Sequence, residues 1–302
     1  MAFEIISSAQ HIYLEEFVVP AVSENESLHR SKTSESIKWT GTFMLIGGLL
    51  SLFASVVSLF DSRVYLEVVD SGTITPFLRF GSMIQDLITV PAALVLTVMS
   101  VKLLRHRQEP LKIKPLMIMT GLASYLFYGY GLYAIQGQYT SLYLFYLAIF
   151  SSALYGVIAG VITLAQHSCA VVPISTKLRR MILGFLLFIL VVLIPVWLLR
   201  MQHDLFSRTP GEVYGVFVLD LGIVFPAFAF VIWQLFRNTR IGTLLAGVAL
   251  IKTLTLCLSV ALGEVLKPLY GFGQDVGMII IFTLLTVVSG GLSVVLFSRL
   301  KV

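Results

Sequence analysis

Eight separate runs of about 20 apolar residues, each long enough to cross a hydrocarbon core of roughly 30 Å as a helix, lie near 40–60, 80–103, 115–136, 142–165, 181–199, 213–235, 241–263 and 276–298. Such runs leave little choice of fold. Backbone N–H and C=O groups in lipid find no water, so each run must close its hydrogen bonds within itself. Composition agrees: 57 % of the 302 residues are hydrophobic and 12 % are charged, a balance foreign to water-soluble domains of this length. The reading is an all-α integral membrane protein of about eight transmembrane helices over 39–302, preceded by a polar tail over 1–38. The tail carries Glu4, Glu15 and Glu16 and lacks the basic start and long apolar core of a secretory signal. A short helix is expected in it around Ser8–Phe17.

The basic residues predict an orientation. Fifteen of the 21 Lys and Arg fall in the tail (Arg30, Lys32, Lys38), the second connection (Lys102, Arg105, Arg107, Lys112, Lys114), the fourth (Lys177, Arg179, Arg180), the sixth (Arg237, Arg240) and the C-terminus (Arg299, Lys301). With eight spans these places share one side, and by the positive-inside rule both termini are cytoplasmic. Seven or nine spans would break the pattern. The net charge of +5 is then accounted for by loops facing anionic membrane lipids, and calls for no nucleic acid.

An internal likeness suggests two sets of four helices, over 39–167 and 178–300. Gln85-Asp86-Leu87-Ile88-Thr89-Val90-Pro91-Ala92 aligns with Leu219-Asp220-Leu221-Gly222-Ile223-Val224-Phe225-Pro226-Ala227 after one inserted residue. Because four is even, the halves would be parallel repeats related by an axis along the membrane normal. Asp86 and Asp220 would lie at similar depth, about two turns below the outer surface, and Pro91 and Pro226 would give paired kinks.

Ionisable side chains inside such runs are rare and usually face a cavity or a partner, so Asp86, Asp220 and Lys252 are the foremost candidates for an ion-coupling or substrate-binding site. Arg79, Ser82, Asp86 and Thr89 share one stripe of their helix, and Lys252, Thr255 and Ser259 share another. The helix directions lean Lys252 and Asp220 away from each other, leaving Asp86 or water as partner of the lysine. Ser51, Ser55 and Ser58 fit close helix packing, as does Gly156-x-x-x-Gly160. Asp275 fits a helix N-cap. Eight of the twelve tyrosines fall between Tyr125 and Tyr155. An interfacial belt explains many of them, while Tyr125, Tyr128 and Tyr155 lie deeper and are candidates to line a ligand cavity.

Several chemistries find no support. Two cysteines, Cys169 and Cys257, make no disulfide framework. The five histidines show no zinc-site spacing, and nucleotide, zincin and serine-hydrolase motifs are missing. No catalytic residue, metal ligand or cofactor is assigned.

Gln85-Asp86-Leu87, the tyrosine-rich hairpin from Ser124 to Tyr155 and Leu219-Asp220-Leu221 with Pro226 resemble a group of bacterial polytopic membrane proteins without an assigned function. The resemblance implies a bacterial inner membrane and supplies no substrate.

The expected function is a proton- or ion-coupled carrier of a small solute. The alternatives are a non-transporting sensor, assembly factor or complex subunit, and an embedded enzyme acting on lipid or quinone through Asp86 with Tyr128 or Lys252. A chromophore held on Lys252 as a Schiff base is a further alternative. Substrate, coupling ion and oligomeric state stay open.

Overall fold

The computed structural model describes residues 34–301 other than 62, 71, 73 and 108, with the backbone alone for Glu67 and Ala170. The expected tail helix lies outside the described residues. All regular structure among them is helical. The elements are α1 (Ser34–Phe60), α2 (Arg63–Asp70), α3 (Pro76–Arg105), α4 (Ile113–Ile135), α5 (Tyr143–Gln166), α6 (Thr176–Ser207), α7 (Tyr214–Phe236), α8 (Arg240–Leu266) and α9 (Val276–Arg299). Local chemistry sets several starts. Thr75, Ser175, Thr239 and Asp275 each accept a hydrogen bond on the side chain from the backbone N–H three residues on, at α3, α6, α8 and α9, and so satisfy one of the free donors of the first turn.

Seven of these helices, all but α2 and α4, are long and apolar enough to cross a membrane, which fits a polytopic membrane protein. Their outward faces expose Val95, Phe188, Val191, Leu284, Val287 and Val294, side chains suited to lipid rather than water. The expectation of eight such runs differs at α4. Tyr125, Tyr128, Tyr130 and Tyr133, with three glycines, dilute its apolar character. The physical reason is position: α4 packs against α3, α5, α7 and α8 and is buried around its circumference, so its hydroxyls need only suit protein neighbours. Tyr125, Tyr130 and Tyr133 bond the main-chain carbonyls of Gln85, Ser51 and Ser82.

α8 is the other interior helix. Its apolar stretch is 72 % buried, where the other six membrane-type helices reach 28–44 %, so α4 and α8 form the axis and the rest surround them. The two approach closely below Lys252. A Cβ on Gly247 would stand 2.1 Å from Met117 Cε, and one on Gly121 2.6 Å from Ile251 Cβ. Gly156 and Gly160 likewise bring α5 against Met44 of α1 and Thr120 of α4. α6 is peripheral and leans on α7.

The basic connections meet at one end. Val172 N donates to Lys301 O, and Arg240 Nη1 to Cys169 O. At the opposite end Gln136 Nε2 donates to Glu212 O, and Phe80 packs on Tyr270 and Phe272. That end also carries α2, an amphipathic helix unforeseen in the sequence, whose Tyr65 and Val68 pack with Ile74, Leu78 and Met83.

Pro91 and Pro195 lie inside α3 and α6. α7 is interrupted differently: Asp220–Val224 forms one π turn, closed by Phe225 N–H donating to Asp220 O, and Pro226 follows. A π turn takes up one residue more than the α ladder around it. It lies where the alignment of the two Asp-Leu segments needs its single inserted residue.

Candidate functional site

The interior helices and four outer ones, α3, α6, α7 and α9, leave a cavity of about 360 Å³, within the size range of sites for small organic ligands. Its mouth is at the end away from the basic connections, between Phe77, Gln136, Arg200, Lys267 and Asp275, and it descends to Tyr128, Asp220 and Lys252. Below that floor the bundle is close-packed. Leu116, Met117, Leu244, Ala246, Leu250 and Leu296 have no exposed surface, so the hollow opens at one end.

Asp220 stands at the break in α7. Trp197 Nε1 donates to Asp220 Oδ2 across 2.7 Å, and Tyr128 stands beside the carboxylate. Trp197 comes from α6, two residues beyond Pro195, so a proline-bearing helix and the π turn of α7 meet at this carboxylate. Burying a carboxylate is costly unless donors replace its hydration, and the indole supplies one.

Lys252 projects from α8 into the same hollow. Its Nζ lies 4.5 Å from the Tyr128 ring centroid and 5.7 Å from that of Phe228, contacts that favour a cation over the ring faces. Among the described residues no carboxylate oxygen is within 4.0 Å of Nζ, and no acceptor bonds it. Its charge and that of Asp220 are close enough to interact, with the Tyr128 ring lying beside the ammonium.

Asp86 occupies a different place. Ser55 Oγ donates to its Oδ1 across 2.9 Å, and Tyr65 of α2 donates to Oδ2. The Tyr133 hydroxyl lies close by, donating to the Ser82 carbonyl, and Ser55 also bonds Tyr130. The carboxylate does not line the cavity; Tyr133, which does, stands between the two. The structure therefore brings Asp220, Lys252 and Tyr128 together and keeps Asp86 apart in a sealed nest of hydroxyls.

The remaining sequence candidates divide in the same way. Thr89 and Tyr125 bond each other beside the Gln85 carbonyl, between α3 and α4. Thr255 Oγ1 returns to the carbonyls of Ile251 and Lys252, which leaves it a local role. Arg79 lies near the mouth end with a buried Nε that has no partner, outside the lining. Tyr155 points outward, 53 % exposed, against Phe43. Ser51, Ser55 and Ser58 are buried as expected of packing residues, yet Ser55 also serves Asp86. Asp275 caps α9 and lines the mouth as well.

Residues outside the sequence-based set complete the cavity. Trp197 drew no attention because tryptophan near a helix end passes for an interfacial anchor. Glu264 and Lys267 form an ion pair with side chains only 8 % and 12 % exposed, and their i, i+3 spacing was the available signal. Gln85 Nε2 and Thr253 Oγ1 are buried on the cavity wall without partners. No three His, Cys, Asp or Glu side chains converge as a metal site among the described residues.

Comparison with protein-family models, with curated proteins and with solved structures finds no match for this chain. What the cavity does is therefore to be derived from its own side chains.

Proposed function

We propose that the protein is a carrier for a small solute, coupled to protons or another ion, with Asp220 and Lys252 as the responsive pair at the floor of its binding cavity. α4 counts as an eighth span in this reading, both termini face the cytoplasm, and the cavity opens to the outside. One observation carries it: the hollow reaches an acid and a base buried deep in the bundle, opens at one end, and stops on dry packing at the other. Alternating access needs such a half-open site between elements able to rock. The interruptions at Pro195 and at the π turn, in the walls beside the acid, supply places where α6 and α7 can bend. Asp86 then belongs to the scaffold.

Cys257 offers the test, since it lines the cavity, whereas Cys169 is exposed at the basic end. In a Cys169→Ser protein, Cys257 is the sole thiol. A membrane-impermeant maleimide added to oriented vesicles should label it from the cavity side in one condition and from the basic side in another, as pH or a transmembrane gradient is changed. Labelling from one side alone under every condition would exclude a carrier cycle.

A further inference from the structure

The cavity is mostly apolar, and its few charges are unevenly satisfied. Each of its three carboxylates already has a donor: Asp220 has Trp197, with Tyr128 beside it, Glu264 has Lys267, and Asp275 has the Met278 N–H of its own helix. Of its three cations only Lys267 has a carboxylate within 4.0 Å among the described residues. Lys252 rests on aromatic faces at the floor, and Arg200 lies over Trp197, 5.6 Å from the ring centroid, at the mouth. The vacant capacity is thus for donation and positive charge. A neutral, non-accepting guest would leave Lys252 Nζ without a hydrogen-bond acceptor, with only the longer-range attraction of Asp220 to offset its charge in an apolar hollow. A cationic guest would have to take Asp220 from Trp197, or Glu264 from Lys267.

We propose that the cavity binds an amphipathic monoanion, a molecule with one carboxylate or comparable singly charged head and an apolar body, seated with its head at Lys252. This rests on the carrier reading for its purpose, but not for its chemistry. A charge-assisted hydrogen bond from Nζ replaces the missing partner, while Phe217, Phe225 and Phe282 enclose the body. Arg200 draws the head inward along the mouth. Asp220 opposes the head electrostatically, so the acid weakens binding when charged and offers the means of release.

The test is saturable binding to the full chain in phosphatidylcholine nanodiscs, with empty discs subtracted, using octanoate, octylammonium and octanol as guests of matched body. Octanoate should bind at least about tenfold more tightly than octylammonium, a difference of about 1.4 kcal/mol. Lys252→Met should remove that preference by weakening octanoate without weakening octanol, Lys252→Arg should keep it, and Asp220→Asn should tighten octanoate. Adding phosphatidylglycerol distinguishes a lipid occupant, which displaces octanoate, from a soluble one, which does not; both are monoanions. Tighter octylammonium than octanoate in the unsubstituted protein, equal binding of the two, or loss of octanoate on Asp220→Asn would overturn the inference. Preference for octanoate without two-sided labelling of Cys257 would leave the ligand class standing and remove the carrier.

Discussion

Trp197 and Asp220 are joined across 2.7 Å by an indole N–H donated to a carboxylate oxygen, and through that bond α6 is tied to the first residue of the π turn in α7. Because α6 leans chiefly on α7, the bond is a main polar link between α6 and the rest of the bundle. Trp197→Phe and Asp220→Leu should each lower stability by about 1 kcal/mol, the usual net worth of such a bond. Asp220→Asn, which can still accept from the indole, should cost less. Thermal unfolding in detergent gives the order, and an Asn variant as damaged as the Leu one would assign the effect to charge rather than to the hydrogen bond.

At the mouth, Glu264 and Lys267 pair with little solvent around them, and Lys267 also lies 5.0 Å from the Phe77 ring centroid. Removing one partner leaves the other unmatched. Glu264→Gln alone should destabilise by about 1–3 kcal/mol, below the roughly 3–5 kcal/mol of a fully buried pair, and Glu264→Gln with Lys267→Met should recover part of that loss. A double-mutant cycle on unfolding measures the coupling; additive losses would mean that the pair is solvated.

The α4–α8 contact is tightest at Gly121. Gly121→Val would drive into Ile251 Cβ and the Val248 carbonyl, at about 1–3 kcal/mol, the typical cost of overpacking, whereas Gly247→Val first meets the movable end of Met117 and should cost less. Lowered yield of folded protein and a lower melting temperature are expected. Gly184→Ala, with nothing within 4 Å of the added Cβ, should be silent.

Tyr65 fastens α2 to Asp86. Tyr65→Phe should leave the spanning helices intact and speed hydrogen exchange across Arg63–Asp70, read by mass spectrometry. Unaltered exchange would mean that the apolar contacts of Val68 and Ile74 alone hold α2.

Asp61 lies two residues before the same helix. The Arg63 guanidinium and then the Arg63 N–H bond its carboxylate and hold it below the usual carboxylate range. A depressed acid contributes above its unfolded value, about 3.9, and loses the contribution as pH falls through its folded value. The first turn of α2 should therefore exchange at a pH-independent level of protection from neutral pH down to about 4 and loosen only in stronger acid. Asp61→Asn should show the loosened behaviour already at neutral pH.

Much of the architecture was legible because the membrane imposes one solution on an apolar run: seven of the eight runs became helices apolar enough to span it, near their expected limits. The exception, α4, escapes that rule because an interior helix answers to its neighbours, and pairings such as Tyr133 with Ser82 cannot be read from spacing. Lys252 and Asp220 stood out by their cost in lipid, and both line the cavity. Asp86 carried the same signal for another reason, being satisfied by Ser55 on a preceding helix and by Tyr65 on a segment too short and polar to register as structure. Trp197 gave no signal, since only the fold shows which tryptophan faces a carboxylate.

The single extra residue in the π turn makes α7 a register-shifted rod. Deleting Gly222 would allow the hydrogen-bond ladder to revert to α spacing, and the half preceding the deletion would turn by about 100° relative to the half anchored by Phe228 and Leu235. Asp220 would then swing away from its indole, toward the direction Leu221 now takes. One inserted residue thus decides whether this acid meets the tryptophan.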